Sequence, residues 1–553
     1  MSVGGCDQPR AVCLILAGVT ELLAERGLAQ RITRARAEET LRRAEEAAPV
    51  HTVNNSQDRL SLEADWGEQG GDGLAFRGGQ CYNAPTPCGA RQRQAPAPGD
   101  RPAGDSRLAV EASDFKEERM PDTQMSAQEI VELNREYTLF SWSPQATVDP
   151  IPAVRAQGVY FWDADGKRYL DLASQLVNVN TGHQHPKVVQ AIQEQAGRLC
   201  FVQPALATEP RGVLGKMLAE RTPAGLKKSF FCLGGAEANE NAIKIARAYT
   251  GRTKILARYR SYHGATHGAV ALTGDYRRWA AEPTMPGVVH VFDPYCYRCT
   301  FGWTRDTCHR ECITHVEEVI RLEGPDKIAA IFMEGITGTN GVIVPPDDYW
   351  PRMRALCDRY GILLVDDEVM SGFGRTGKWF AVDHWDVAPD IMTMAKGLTS
   401  GHVPLAAVVV SEKIARHFDD KPLMGGLTYG SHPLSCAAGV ATLQVYDDEC
   451  LIENSARLGV YLGQRLEELK ERHPSVGDVR YRGLFAVLEL VKDRATKEPL
   501  PSAPLNPFLR ENGVFGFLPS NLVFVTPPLC ITQAQLDEGL AIVDRALEIA
   551  DRA

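Results

Sequence analysis

The chain has 553 residues, 44% of them hydrophobic and 24% charged, with a formal net charge of -10. That length exceeds one ordinary core, so two or three domains are expected. The acidic balance excludes nucleic acid or an anionic membrane surface as the main partner, and no apolar run reaches the roughly 18 residues of a membrane span. The opening stretch, MSVGGCDQPRAVCLILAGVTELL, has an apolar patch but neither a basic leader region nor a clear cleavage site. A cytoplasmic location is expected. The 14 cysteines are scattered through the chain, which favours free thiols, catalysis or metal binding over a disulfide framework.

Residues 1–124 are read as a poorly ordered extension. GEQGGDGLAFRGGQCYNAPTPCGARQRQAPAPGDRPAGDSR is rich in Gly, Pro and Arg and has no sustained period, so it cannot bury enough apolar area to offset ordering entropy. One helical stretch precedes it, VTELLAERGLAQRITRARAEETLRRAEEAA. From residue 125 onward strand and helix signals alternate. GVYFWDADGKRYLDL predicts a hairpin with Asp-Gly at the turn, and HPKVVQAIQEQAGRL an amphipathic helix. KSFFCLGGAEANENAIKIARAYT reads as strand, glycine turn and helix. KIAAIFME and GILLVDDEVM are short apolar runs that stop at acidic residues, as buried parallel strands do at an active-site edge. PLSCAAGVATLQVYDD and CLIENSARLGVYLGQRLEELKERH predict long helices, VGDVRYRGLFAVLELV a pair of antiparallel strands, and ITQAQLDEGLAIVDRALEIADR a closing helix. The fold class expected is α/β: a large domain over 181–425 with a mostly parallel sheet, and a smaller α+β domain formed by 125–180 and 426–553.

Three features carry chemistry. Gly234 and Gly235 follow an apolar strand and open a helix; such a turn is either a tight connection or a cup of free backbone N–H groups for a phosphate. Asp366 and Asp367 end an apolar strand, as capping groups or as site residues. Lys396 follows IMTMA, where burial would lower its pKa and free an amine for Schiff-base chemistry; the alternative is a lysine reaching out to solvent. Together they suggest pyridoxal 5'-phosphate, which needs a phosphate cup, a lysine for its aldehyde and a carboxylate for its pyridine nitrogen. Tyr262 and His263 in SYHGATHG supply an aromatic cover for the ring.

The stretches GGAEANENAIKIAR, SYHGATHG, DDEVMSGFGRTGKWFAVDHWDVAPDIMTMAKGL and GGLTYGSHPLSCAAG stand in the order and at the spacing of one family. From about residue 126 to 553 the chain resembles the class III pyridoxal-phosphate-dependent aminotransferases. The resemblance implies the type I (aspartate aminotransferase-like) fold, with 181–425 as the cofactor-binding domain. It implies that Lys396 holds the cofactor as a Schiff base and then shuttles a proton. Asp367 would bond the pyridine nitrogen, Val369 and Tyr262 would cover the two ring faces, and Gly235 and Ala236 would bind phosphate through their backbone N–H groups. Ala236 stands where the family often has serine, so a side-chain bond to the phosphate is missing. Thr428 would reach the phosphate of the neighbouring subunit, implying a homodimer. Glu334 in FMEGITG corresponds to a glutamate near the cofactor. His263 would orient substrate or pack; Asp366 and Arg375 are expected to be structural.

Substrate choice is read from departures. Ornithine- and 4-aminobutyrate-type members carry a glutamate five residues after the position of Glu334, where this chain has Thr339. Their partner arginine lies shortly before PPL near the C-terminus, and here no arginine stands between Phe515 and Pro527. A carboxylate clamp of that kind is absent. This favours amino transfer from an ω-amino acid, taurine or a simple amine to a keto acid such as pyruvate, with Trp142 as a wall of the substrate pocket. The alternatives are a 4-aminobutyrate-type aminotransferase, an aminomutase or racemase, and, in a different class, a metal or iron–sulfur redox protein. The last would use Cys296, Cys299, Cys308 and Cys312, spaced C-x2-C-x8-C-x3-C in an insert over 294–312. That insert is read either as a structural zinc knuckle or as reduced thiols.

Overall fold

The structure, a computed structural model, describes residues 125–553; the expected N-terminal extension and its helical stretch lie outside the described residues. Strands β1 (Ala153–Gln157), β2 (Tyr160–Asp163) and β3 (Arg168–Asp171) form an antiparallel meander. Gly166, at φ +83°, takes the left-handed conformation that the Asp-Gly turn of the predicted hairpin requires.

Seven strands follow: β4 (Leu226–Cys232), β5 (Lys254–Arg258), β6 (Val288–Val291), β7 (Ile328–Glu334), β8 (Leu363–Asp367), β9 (Ile391–Met394) and β10 (Ala406–Ser411). They make one sheet in the order β4-β10-β9-β8-β7-β5-β6. The pairs among β5 to β9 are parallel, and β10 runs antiparallel to both its neighbours. β7 and β8 are buried at every position, because both faces of the sheet are covered. Alternate residues enter different cores: Ala330, Phe332 and Val365 pack with Ala242 and Ile245 of the helix Gly235–Thr250. Ile331, Met333 and Leu364 pack with Met353 and Leu356 of the helix Tyr349–Tyr360.

The remaining strands are β11 (Val476–Arg482), β12 (Phe485–Asp493), β13 (Glu498–Pro499), β14 (Val514–Phe515) and β15 (Leu522–Val525). β12 pairs antiparallel with β11, β13 and β15. β14 instead joins β3 in parallel, with Val514 opposite Leu170. The N-terminal meander and the C-terminal strand β14 therefore share a sheet across most of the described chain, while β11, β12, β13 and β15 form another. The predicted helices are present as Pro186–Arg198, Pro433–Asp448, Leu451–Arg472 and Gln533–Ala550. Among the described residues no helix is long and apolar enough to cross a membrane.

Parallel register brings the strand ends into one row. Glu334 lies opposite Asp367, and Asp367 opposite Thr393. The turn after β4 and Lys396 after β9 lie at the same carboxyl edge of the sheet, where α/β folds place their ligands.

Arg375 locks this edge to the rest of the molecule. It is fully buried and donates to the carbonyls of Leu484 (3.0 Å) and Pro527 (2.6 Å), to Ser174 Oγ (3.1 Å) and to Asn180 Oδ1 (2.7 Å). Burial pushes its pKa down to about 10, so it remains a cation at neutral pH. The expected structural role thus has a mechanism: one fork holds three distant segments. Arg375→Met strands these acceptors in the core and should cost ~3 kcal/mol of stability, read as a lower denaturant midpoint; an unchanged midpoint would show that the fork is dispensable.

Candidate active site

A cavity of about 550 Å³ opens at the carboxyl edge of the large sheet. Of the residues expected around a cofactor, Gly235, Ala236, Tyr262, His263, Glu334, Asp367, Val369 and Lys396 line it, whereas Trp142 and Thr428 do not. The helix Gly235–Thr250 begins directly after Gly234, which has no side chain to cap it. Its first N–H groups are thus free to meet an anion. Gly235 has to be glycine, because a Cβ there would lie 2.8 Å from Val369 Cγ1.

Lys396 stands at φ +39°, a strained conformation for a residue with a side chain. Among the described residues its Nζ has no hydrogen bond or ion pair. Its pKa is brought down to about 8, chiefly by burial. The Asp367 and Glu334 carboxylates oppose the shift, and the Arg277 and Arg375 guanidiniums add to it. A buried amine that is partly neutral near physiological pH and faces a cavity is a nucleophile.

Opposite it the Asp367 carboxylate is held from three sides. Oδ2 accepts from Asn239 Nδ2 (2.8 Å) and His263 Nδ1 (2.7 Å), and Oδ1 accepts from the Val369 N–H (3.0 Å). Asn239 is fixed in turn: Nδ2 also donates to the His263 carbonyl (2.8 Å), and Oδ1 accepts from Thr393 Oγ1 (2.8 Å). His263 is therefore a brace behind Asp367. Asn239 escaped the sequence reading, although a signal was present: with Asn241 it is one of two polar residues among the mostly apolar buried positions of the helix.

Glu334 is buried and its pKa is raised, mainly by that burial. It accepts from the N–H groups of Tyr262 (3.1 Å) and Gly338 (2.6 Å), and so positions the tyrosine. The Tyr262 ring meets Trp142 edge-on, with centroids 6.1 Å apart. Trp142 is 64% exposed and stands outside the cavity. Thr428 is exposed. Asp366 is fully buried with no hydrogen-bond partner for either oxygen; burial, then the neighbouring Glu368, raises its pKa well above its ordinary value.

The profile of the class-III aminotransferase family matches residues 142–547. The chain belongs to the class-III aminotransferases. It is 39% identical over 434 residues to a leucine/methionine racemase of Thermococcus litoralis, covering 76% of this chain and 96% of that one. It is 35% identical over 453 residues to a taurine–pyruvate aminotransferase of Bilophila wadsworthia, covering 77% and 98%. The solved structure of taurine:2-oxoglutarate aminotransferase from Bifidobacterium kashiwanohense, in complex with PLP and glutamate, superposes with a TM-score of 0.75 at 43% identity, covering 77% of this chain and 99% of that one. The fold is that of the type I transaminases, as the sequence implied.

Pyridoxal 5'-phosphate is the cofactor of class-III aminotransferases, and the cavity fits it on three independent counts. It offers an uncapped helix start for the phosphate, a lysine amine without a protein partner for the aldehyde, and a braced carboxylate for the ring nitrogen.

The cysteine insert lies apart from this cavity. Cys296, Cys299, Cys308 and Cys312 border one small hollow and form no disulfide. Among the described residues, however, no group of three or more His, Cys, Asp or Glu side chains is arranged to hold a metal ion. The structural zinc is therefore unsupported. Burial, with the neighbouring cysteines, pushes the Cys312 thiol up to about 12 and raises Cys296 as well. Cys308 Sγ instead accepts from Arg310 Nη1 at 2.8 Å, and Cys312 packs against the main core.

The depressed lysine gives a pH signature. Only neutral Lys396 can capture the cofactor aldehyde, so the rate at which apoenzyme takes up pyridoxal phosphate should rise with pH and level off above about 8. Stopped-flow absorbance measures it; a rate still climbing in proportion to hydroxide beyond pH 10, as for an ordinary lysine of pKa about 10.4, would contradict the assignment.

Proposed function

We propose that the enzyme moves an amino group from a small ω-amino acid, taurine or β-alanine among them, or from a simple amine, to pyruvate. The observation that carries the reaction type is the partnerless Lys396 amine facing the braced Asp367 across one cavity. The donor class is supported by Thr339 in the cavity wall, where the ornithine- and 4-aminobutyrate-type members carry glutamate, and by the taurine-using relatives.

Bound pyridoxal phosphate supplies an electron sink for the substrate's carbon–hydrogen bond. Lys396 Nζ would accept the proton from the substrate carbon and later give it back, a task suited to an amine with pKa of about 8. Asp367 holds a proton at the ring nitrogen, and Asn239 and His263 prevent the carboxylate from turning away. Tyr262 and Val369 confine the ring from its two faces, while the N–H groups of Gly235 and Ala236 hold the phosphate. Ala236 offers no hydroxyl, so this phosphate site relies on the backbone and on Thr428 of a second copy of the chain. Exposed Phe201, Met424 and Tyr429, with Phe201 and Tyr429 in aromatic contact at 5.8 Å, surround Thr428 and support a homodimer closing over this face.

A racemase is the second reading, favoured by the Thermococcus litoralis relative. It needs the same lysine and carboxylate but no keto acid.

The test mixes holoenzyme with taurine, β-alanine, 4-aminobutyrate and propylamine, follows loss of the cofactor's visible absorbance, and then adds pyruvate and measures alanine. Taurine and β-alanine should react and yield alanine in equal amount to the aldehyde product. Reaction with 4-aminobutyrate alone contradicts the donor class. Interconversion of leucine enantiomers without pyruvate, with no alanine formed from any donor, establishes the racemase.

A further inference from the structure

We propose that Arg277 is the anion-recognition residue of the substrate pocket, binding the carboxylate of the keto acid acceptor and the acid group of an ω-amino acid donor. For the acceptor this rests on amino transfer to a keto acid; for the donor it rests on the reading given under the preceding heading.

Arg277 lies in the single helical turn Tyr276–Ala281, whose start is fixed by Asp275 accepting from the Arg277 N–H at 3.0 Å. The same carboxylate grips the guanidinium: Nε donates to Oδ1 (3.0 Å) and Oδ2 (3.1 Å), and Nη2 donates to Oδ2. Asn340 Nδ2 steadies Asp275 from the other side at 2.9 Å. The second hydrogen of Nη2 goes to Thr339 Oγ1 at 2.7 Å. Nε and Nη2 are thus fully engaged, and Nη1, with two donor hydrogens, has no partner among the described residues. Only 14% of the side chain is exposed.

The guanidinium borders the site from an adjoining hollow, lined by Arg277, Asp275 and Asn340, that shares Thr339 with the cavity. The Arg277 Cζ lies 3.9 Å from the centre of the Tyr262 ring and 5.9 Å from that of Trp142. Two of its contacts, Tyr262 and Thr339, line the cavity that contains Lys396. The guanidinium is close enough to help depress the Lys396 amine. The positive charge absent from the C-terminal stretch before Pro527 is therefore supplied at the wall of the pocket, behind Thr339 and Tyr262, from another part of the chain. Threonine at 339 is what permits this: it accepts one hydrogen bond and leaves the cation available, whereas a carboxylate there would compete with the substrate's acid group. Because Asp275, Asn340 and Thr339 fix the guanidinium, it does not have to swing between anionic and neutral substrates. Simple amines leave Nη1 to water.

The decisive experiment compares two acceptors of similar size in Arg277→Gln and Arg277→Lys holoenzymes. Pyruvate carries a carboxylate and propanal does not. Losing a charged hydrogen bond should raise the KM for pyruvate about 30-fold in the glutamine variant, with kcat and the KM for propanal changed less than about threefold. The lysine variant keeps the charge and should recover most of the pyruvate KM. The visible spectrum of the bound cofactor should be unchanged in both. An unchanged pyruvate KM, or an equal loss with propanal, overturns the proposal; equal loss means that Arg277 acts only by holding Tyr262. The donors report separately: wild-type enzyme that accepts pyruvate but rejects taurine and β-alanine refutes the donor class, while the pyruvate KM of the variants still decides the role of Arg277.

Discussion

The grip on the Asp367 carboxylate is the constraint around which the rest of the site is built. A strand-end acid buried between two covered sheet faces is costly unless its oxygens are occupied. Here a helix side chain, a histidine ring and a backbone N–H occupy them from three directions. Each of those donors belongs to a different segment, so satisfying one carboxylate fixes the first helix after β4, the SYHG loop and the turn after β8 relative to one another. Once they are fixed, the phosphate cup, the ring cover and the lysine share a single cavity.

Lys396 is the counterpart of that constraint. It sits on a strained backbone, buried and unbonded, within the influence of two carboxylates and two arginines. Such an arrangement is unfavourable for folding alone and makes sense when a ligand completes it. Arg375 and Glu334 stabilise the neighbourhood without touching the chemistry: one fastens the loop after β8 to the N- and C-terminal segments, the other pins the backbone of Tyr262. This division explains how one sheet edge carries a reactive amine while its surroundings stay rigid.

Much of this was legible in the sequence because the relevant signals are local. A double glycine between an apolar strand and a helix, an acid ending an apolar run and a lysine behind IMTMA each carry their meaning within a few residues. The alternation of strand and helix likewise gave the parallel sheet, and Asp-Gly the hairpin. What stayed hidden depends on distant pairing. Nothing near Arg277 or Asp275 in the chain announces that they meet Thr339 and Asn340, more than sixty residues away. His263 was placed beside the cofactor by adjacency to Tyr262, whereas its ring turns to Asp367. In the cysteine insert the ligand-like spacing did announce a real cluster, since the four thiols border one hollow, but spacing says nothing about burial or about the arginine that bonds Cys308.

The central claim is that Lys396 is the residue that carries the cofactor. Borohydride reduction of the holoenzyme followed by proteolysis and mass spectrometry tests it directly. The added mass of a reduced pyridoxal phosphate should appear on the peptide containing Lys396 and on no other lysine. Its appearance elsewhere, or its absence from an enzyme that has bound and reduced the cofactor, would contradict the account.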